Sequence, residues 1–218
     1  MIVTNQKSFD NILNGMIRVV TRISEARDLY TAGHQYRVCQ LASEIGKHLG
    51  FTQKRLNALC VASILHDIGK VNIPVEILSK PGKISSVEFE LIKTHVDFGY
   101  NILKPIKFTF PVATWVKQHH EREDGSGYPD KLKSSNIQLE SAIIGVSDVV
   151  EAMVSHRPYR AALGIEAALE EIFKYSGSKY KSEVVDICMD VFANGFEFTE
   201  GQLDKTPCGK FVTDKEET

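Results

Sequence analysis

Seven residues of this chain have the types and order of a metal-binding set: His34, the His66-Asp67 pair in LHDIGK, His95, the His119-His120 doublet in HHEREDGSGYP, and Asp148 in GVSDVVEA. Imidazole nitrogen combined with carboxylate oxygen suits divalent transition metals such as iron, manganese or zinc, whereas all-oxygen sets suit calcium or magnesium. Five histidines and two aspartates are more ligands than one ion needs. The set therefore points to a two-metal hydrolytic site, because a pair of ions can hold a phosphodiester and generate hydroxide near neutral pH.

Each member also has a plainer reading. A lone histidine on a helix is usually a surface or hydrogen-bonded residue. His48, beside Lys47 on a polar face, takes that reading, and His156, directly before Arg157, is either an outer contact of the site or simply exposed. LHDIG differs because it places an ionisable pair after an apolar run, where unpaired burial is costly and coordination removes the cost. On a helix His119 and His120 point roughly 100° apart, so the doublet gains meaning only if two ions share the cavity.

The elements that must position these residues are helices. Apolar spacing is helical almost throughout and strand-like alternation is nearly absent, so the expected fold class is all-α, a compact multi-helix bundle around a buried metal site. The spacing predicts helices over residues 5–28 and 32–49, the second with Val38, Leu41, Ala42, Ile45 and Leu49 on one stripe and Gly50 as its stop signal. The next helix starts at Thr52, an N-cap type, and runs into Gly69, so that its last turn carries His66 and Asp67. Pro74 and Pro81-Gly82 make the following stretch a loop with one helical turn at most. Ser85 with Glu88 reads as a capping box opening a helix to about residue 103 that bears His95. Pro111 suits the first turn of a helix that delivers both His119 and His120. The loop EREDGSGYPDKLKSS then belongs to the site, since loops on a rigid scaffold often carry binding groups. Helices over 139–155, carrying Asp148, and over 165–175 and 182–193 complete one domain spanning residues 1–198, with a polar tail over 199–218.

A net charge of -2 over 218 residues gives no broad basic surface, which excludes bulk nucleic acid and leaves room for a small anion held by a few local cations. The N-terminus lacks a basic start followed by an apolar run, and no run of about 18 apolar residues occurs. A soluble, cytoplasmic protein without membrane insertion is expected. Cys39, Cys60, Cys188 and Cys208 lie far apart with no C-x-x-C pair, which predicts reduced thiols, the first three as small buried hydrophobes and Cys208 exposed.

With LHDIGKVNIP, ILSKPGKI, the helix bearing His95, HHEREDGSGYP and DVVEAMVSHRPYR in this order, the sequence resembles the HD-GYP subgroup of the HD phosphohydrolase superfamily from about residue 34 to residue 168. The resemblance implies an all-helical, metal-dependent bacterial phosphodiesterase that cleaves cyclic di-GMP or 3′3′-cyclic GMP-AMP to a linear dinucleotide or mononucleotides. It implies that His34, His66, Asp67 and Asp148 hold one ion. Asp67 bridges to a second, completed by His95, His119 and His120, and a hydroxide between the ions is the nucleophile. The implied ions are iron or manganese, with zinc or nickel as substitutes.

Asp67 and Lys70 take catalytic roles in this scheme, and Lys70, Tyr128, Arg157 and Arg160 contact the substrate. The plainer reading of Lys70 is a surface lysine closing a helix, where the dipole favours a cation. Gly127 would supply a conformation closed to a β-carbon and Pro129 would stiffen the turn; for the loop glycines and the proline, bracing the histidines is an equal alternative. Some members bind a third ion through a glutamate where this chain has Tyr30, a poor substitute, so two ions are expected. The implied partner is the cyclic dinucleotide; a diguanylate-cyclase domain docking through the GYP loop, as in some relatives, and a second copy in a homodimer are further candidates, and the oligomeric state is left open. Two rival readings remain. One is an HD nucleotidase acting on small nucleotides, for which GSGYP and RPYR have no special purpose. The other is non-catalytic: a cyclic-dinucleotide receptor, against which the intact ligand set argues, or a module that docks onto a diguanylate-cyclase domain through its GYP loop.

Overall fold

Gly33 at φ 73° and Gly50 at φ 71° bracket helix α1 (His34–His48), each at a positive φ that a β-carbon disfavours. The structure, a computed structural model, describes residues 15–17, 19–24, 27, 33–155 and 162–199. Val38, Leu41, Ala42 and Ile45 of α1 are fully buried, as their spacing requires, and face α2 (Gln53–Leu65). Thr52 caps α2 by accepting the Arg55 N–H at 3.4 Å. This helix stops earlier than expected: His66 is its C-cap, and Asp67 turns the chain into a 3-10 helix (Ile68–Asn72). The tighter winding lets Gly69 lie against helix α5 (His95–Leu103), where a β-carbon would run into the His95 carbonyl and the Gly99 amide.

A single turn, α3 (Val75–Leu78), precedes α4 (Ser86–Lys93), which opens with the expected capping box: Glu88 N–H donates to Ser85 Oγ at 3.3 Å and Ser85 N–H to Glu88 Oε2 at 2.7 Å. The helix expected to reach residue 103 is broken at Thr94, whose hydroxyl donates to the Leu91 carbonyl at 2.7 Å and so competes with the helical ladder. Helix α6 (Val112–Gln118) follows Pro111, and a short 3-10 turn (Ser134–Asn136) leads to α7 (Leu139–Val154), α8 (Ile165–Lys174) and α9 (Ser182–Ala193).

The fold is all-α; among the described residues the one β feature is an isolated bridge between Ser176 and Tyr180. Helix α7 runs against α1, α6 and α8, and α9 closes over α1, α7 and α8. Trp115 of α6 is buried at the centre with Phe110 at 5.9 Å. At the N-terminal end, residues 15–17, 19–24 and 27 are helical, with Ile17 and Val20 against the core. The rest of the helix expected over 5–28 lies outside the described residues, as do Tyr30, His156, Arg157, Arg160 and Cys208. No helix among the described residues is long and apolar enough to cross a membrane.

The expectation of reduced thiols fails for two cysteines. Cys39 and Cys60 form a disulfide between α1 and α2, with Cα atoms 5.1 Å apart. Both were placed correctly as buried helical residues, but 21 positions of sequence separation hid the fact that their helices meet at that level. Cys188 is a buried free thiol, as expected, and burial pushes its pKa up to about 12.

Candidate metal centre

Three of the histidines stand at helix breaks and are held in the same way. His66 Nδ1 lies 2.7 Å from the Ser63 carbonyl, His95 Nδ1 2.7 Å from that of Ile92, and His119 Nδ1 2.6 Å from that of Val116. The last four carbonyls of a helix have no partner within it, so an imidazole three residues further on can donate its Nδ1–H to one of them. A carbonyl only accepts, and the bond therefore fixes the tautomer and leaves Nε2 with its lone pair. The ends of α2, α4 and α6 also carry the negative pole of the helix dipole, which favours a cation.

His34 is held differently. It begins α1, and its Nδ1 contacts Glu151 Oε2 while its Nε2 lies 3.2 Å from Asp148 Oδ1. Glu151 is fully buried, one turn beyond Asp148 on α7. Its other oxygen accepts from Arg37 at 2.6 Å (Nη2) and 2.8 Å (Nε), and from the Ser155 hydroxyl at 2.6 Å. The sequence reading missed Glu151 and Arg37. The available signal was spacing, since each stands three residues after a proposed ligand and so on the same helical face.

All seven expected ligand residues meet in one buried cluster. Asp67 sits at its middle: Oδ2 is 3.4 Å from His66 Nε2, 3.9 Å from His34 Nε2 and 2.7 Å from Lys70 Nζ, whereas Oδ1 is 3.5 Å from His95 Nε2. Asp148 Oδ1 is 3.9 Å from His66 Nε2. One ligand atom from each of His34, His66 and Asp148 lies within 4.8 Å of the others, and the same holds for His95, His119 and His120. A third overlapping group, His66, Asp67 and His119, joins the two.

The Nε2 atoms of His66, His95 and His119 are buried with no hydrogen-bond partner among the described residues, and that of His34 has the Asp148 carboxylate beside it. Buried polar atoms in proteins are nearly always satisfied. Three orphaned imidazole nitrogens and a fourth on a carboxylate, gathered around Asp67 and Asp148, are what a divalent-metal centre satisfies, so the residues present fit such ions.

The charges follow from the surroundings. Burial opposes ionisation of Asp67, but Lys70, His66, His95 and His34 hold its carboxyl well below the usual range. Burial opposes Asp148 too, and His34, His66 and His120 overcome it. Burial lowers His119 to about 3, helped by His66 and His95, and lowers His120 and His95 as well. For His34 burial is outweighed by Glu151 and Asp148, which push its pKa up to about 9, while Glu151 itself falls to about 2 despite its burial.

The GYP loop lies directly on this cluster. Tyr128 stacks on His120 with ring centroids 4.7 Å apart and an interplanar angle of 31°, and its N–H donates to the His120 carbonyl at 3.2 Å. Gly127 is needed for close approach and not, as expected, for its conformation: a β-carbon there would strike the His120 carbonyl and the Arg122 amide. Of the two glycines in GSGYP, the one at positive φ is Gly125, at 81°. Gly145 on α7 is a second close approach the sequence did not reveal, since a β-carbon would collide with the His119 carbonyl. His48 is exposed, with its ring on the Glu44 carbonyl, as its plain reading required.

Fold and site together define a helical protein with a divalent-metal centre built on histidine and aspartate. An HD domain profile matches residues 18–184, and the chain belongs to the HD domain family, in its HD-GYP group. It is 38% identical over 182 residues to a cyclic di-GMP phosphodiesterase of Thermotoga maritima, covering 82% of this chain and 49% of that protein. Identity is 35% to the cyclic di-GMP phosphodiesterase response regulator RpfG of Xanthomonas campestris, covering 89% and 50%, and 33% to 3′3′-cGAMP-specific phosphodiesterase 1 of Vibrio cholerae, covering 78% and 39%. The chain thus spans about half the length, or less, of the curated relatives it matches. Its fold is similar to that of a cyclic GMP-AMP phosphodiesterase of V. cholerae, with a TM-score of 0.61 at 19% identity over 82% of this chain and 49% of that one. It is also similar to the PgpH HD domain of L. monocytogenes in complex with cyclic-di-AMP, with a TM-score of 0.54 at 19% identity over 81% and 96%.

Proposed function

We propose that this chain is a phosphodiesterase for a cyclic dinucleotide, cyclic di-GMP or 3′3′-cyclic GMP-AMP, working with two divalent ions, iron or manganese. The observation that carries this reading is the division of ligand atoms around Asp67, whose Oδ2 faces His34 and His66 and whose Oδ1 faces His95. His34, His66 and Asp148 would hold one ion, His95, His119 and His120 the other, and Asp67 both. The names of the relatives supply the substrate class. When bound, such a pair polarises a phosphodiester and lowers the pKa of water.

The protein residues do the rest. The carbonyl-tied histidines arrive oriented, and burial biases His95 and His119 toward the neutral form. Lys70, whose ammonium neutralises Asp67 and whose side chain is 15% exposed, exchanges that partner for a phosphate oxygen of the substrate. Tyr128 keeps its phenol proton, because burial and then the charges of Asp148 and Asp67 raise its pKa, and so can donate to the ligand over His120. Arg157 and Arg160 are assigned to phosphate or base contacts by the resemblance alone. Residues 1–198 are assigned to the one catalytic domain on the same reading.

The test is chromatographic analysis of products from protein loaded anaerobically with manganese or ferrous iron. The substrates are cyclic di-GMP, 3′3′-cyclic GMP-AMP, linear pGpG and ordinary nucleotides, each supplied separately. Linear products should form from a cyclic dinucleotide and cease on chelation. Hydrolysis of ordinary nucleotides with both cyclic dinucleotides untouched would establish the nucleotidase reading instead.

A further inference from the structure

A cleft of about 700 Å³ opens beside His120 and Tyr128, and neither Asp148 nor Lys70 lines it. That volume is in the range that encloses a ligand of nucleotide size. We propose that the cleft is the subsite for one purine nucleoside monophosphate unit, with the base stacked on Phe89 and the phosphate held by Lys93 and Lys131. This assignment rests on the dinucleotide reading above and adds to it the residues that would recognise the half of the substrate away from the scissile bond.

Three observations support it. Phe89 is 47% exposed, and its ring meets that of Tyr128 at 6.4 Å and 83°, forming an aromatic corner open to the cleft. A base has a flat face that such a corner can cover, and stacking of this kind tolerates any purine. Lys93 stands at the corner, with Nζ 5.2 Å from the Phe89 centroid and 5.7 Å from that of Tyr128. Its partner is Glu90, at 2.6 Å, with a carboxylate 69% exposed, so the ammonium can move to a phosphate at little cost.

The third observation is backbone strain on the opposite wall. Lys131 has a φ of 54°, a left-handed conformation that residues with a β-carbon seldom adopt. Glu121, 5% exposed, enforces it by accepting the N–H of Asp130 at 2.7 Å and that of Leu132 at 2.9 Å, on either side of Lys131. Strain held by a buried carboxylate marks a position with a purpose, and here it sets a lysine on the cleft wall. With Arg122 and Lys179 the lining carries four cations against Glu90 and Asp97, in a chain whose net charge is -2.

The experiment uses the full manganese-loaded chain and its Phe89→Ala, Phe89→Tyr and Lys131→Ala variants. GMP binding is measured by calorimetric titration, and KM is measured for cyclic di-GMP and for bis(p-nitrophenyl) phosphate, a diester without a base. Phe89→Ala and Lys131→Ala should each weaken GMP about tenfold and raise the dinucleotide KM about tenfold relative to the model diester, and Phe89→Tyr should restore both values. A parent that does not bind GMP, or variants that bind it as tightly as the parent, would overturn the subsite. A parent that cleaves the model diester and no cyclic dinucleotide would instead sink the proposed function, and the GMP titration would still decide the cleft.

Discussion

His66 and His119 cap the carboxyl ends of α2 and α6 and His95 follows directly on the end of α4, each tied through Nδ1 to a carbonyl of the helix that precedes it, whereas His34 follows no such helix end among the described residues and is tied to the buried carboxylate of Glu151. The two attachments prepare an imidazole in opposite ways. A carbonyl accepts one proton and carries no charge, so burial decides and His119 and His95 are biased toward the neutral form. A carboxylate stabilises the imidazolium, and His34 is pushed up to about 9. His95 and His119 are therefore preset for ligation, whereas at His34 a proton competes with an ion. The difference arises from where each histidine falls on its helix, because only a helix end offers a spare carbonyl three residues back.

The largest effects should come from disturbing the backbone of the preset half. Gly145→Ala and Gly69→Ala would drive a β-carbon into the carbonyls of His119 and His95, and each should cost about 3 kcal/mol in urea unfolding of chelated protein. The ion assigned to His95, His119 and His120 should be lost first on dilution. Stable Ala variants with both ions would show that these close approaches do not fix the histidines.

Glu151→Gln acts on the other half. It leaves the shape but removes the charge behind His34, and should weaken one ion by about 10- to 100-fold while the other changes little. Competition against a chelator would resolve the two, and equal weakening of both would erase the contrast drawn between the halves.

The same contrast predicts a pH dependence. A ligating imidazole must be deprotonated, so affinity at the His34 half should fall up to about tenfold per pH unit below about 9, while His119, near 3, adds no such slope around neutrality. In chelated protein the sign for stability is the reverse. His34, raised from 6.5 to about 9, contributes fully below 6.5 and loses its contribution as pH rises through 9. Glu151, lowered from 4.5 to about 2, contributes above 4.5 and loses it as pH falls through 2. A calorimetric Tm series in chelator should therefore show the pair's contribution greatest between 4.5 and 6.5. Glu151→Gln should flatten that series. The smallest effect belongs to His48→Ala, which should leave metal content unchanged and stability within about 0.5 kcal/mol.

What the sequence disclosed and what it withheld divide along the same physical line. Helical periodicity, the Thr52 cap, the Ser85–Glu88 box and the Gly50 stop are local signals, and each stands in the structure where its residues put it. The seven candidate ligand residues were legible as a set because their chemistry is unusual and their blocks stand in a recognisable order, and the structure brings them together. The break at Thr94 was not, since a threonine hydroxyl also tolerates a continuous helix. Glu151 looked like an ordinary helical acid until α1 was laid against α7. The Cys39–Cys60 pair and the need for glycine at 69 and 145 depend on two helices meeting at one level, which no short stretch of sequence encodes.

The central claim is that Asp67 joins two ions, one in each half. Manganese content combined with electron paramagnetic resonance of the loaded protein tests it directly, in the parent and in Asp67→Ala. The parent should hold two ions per chain with a spin-coupled signal, as for a pair ~3.5–4 Å apart, and the variant should lose the coupling together with most of its manganese. A single uncoupled ion in the parent, or an Asp67→Ala protein that keeps a coupled pair, would contradict the account.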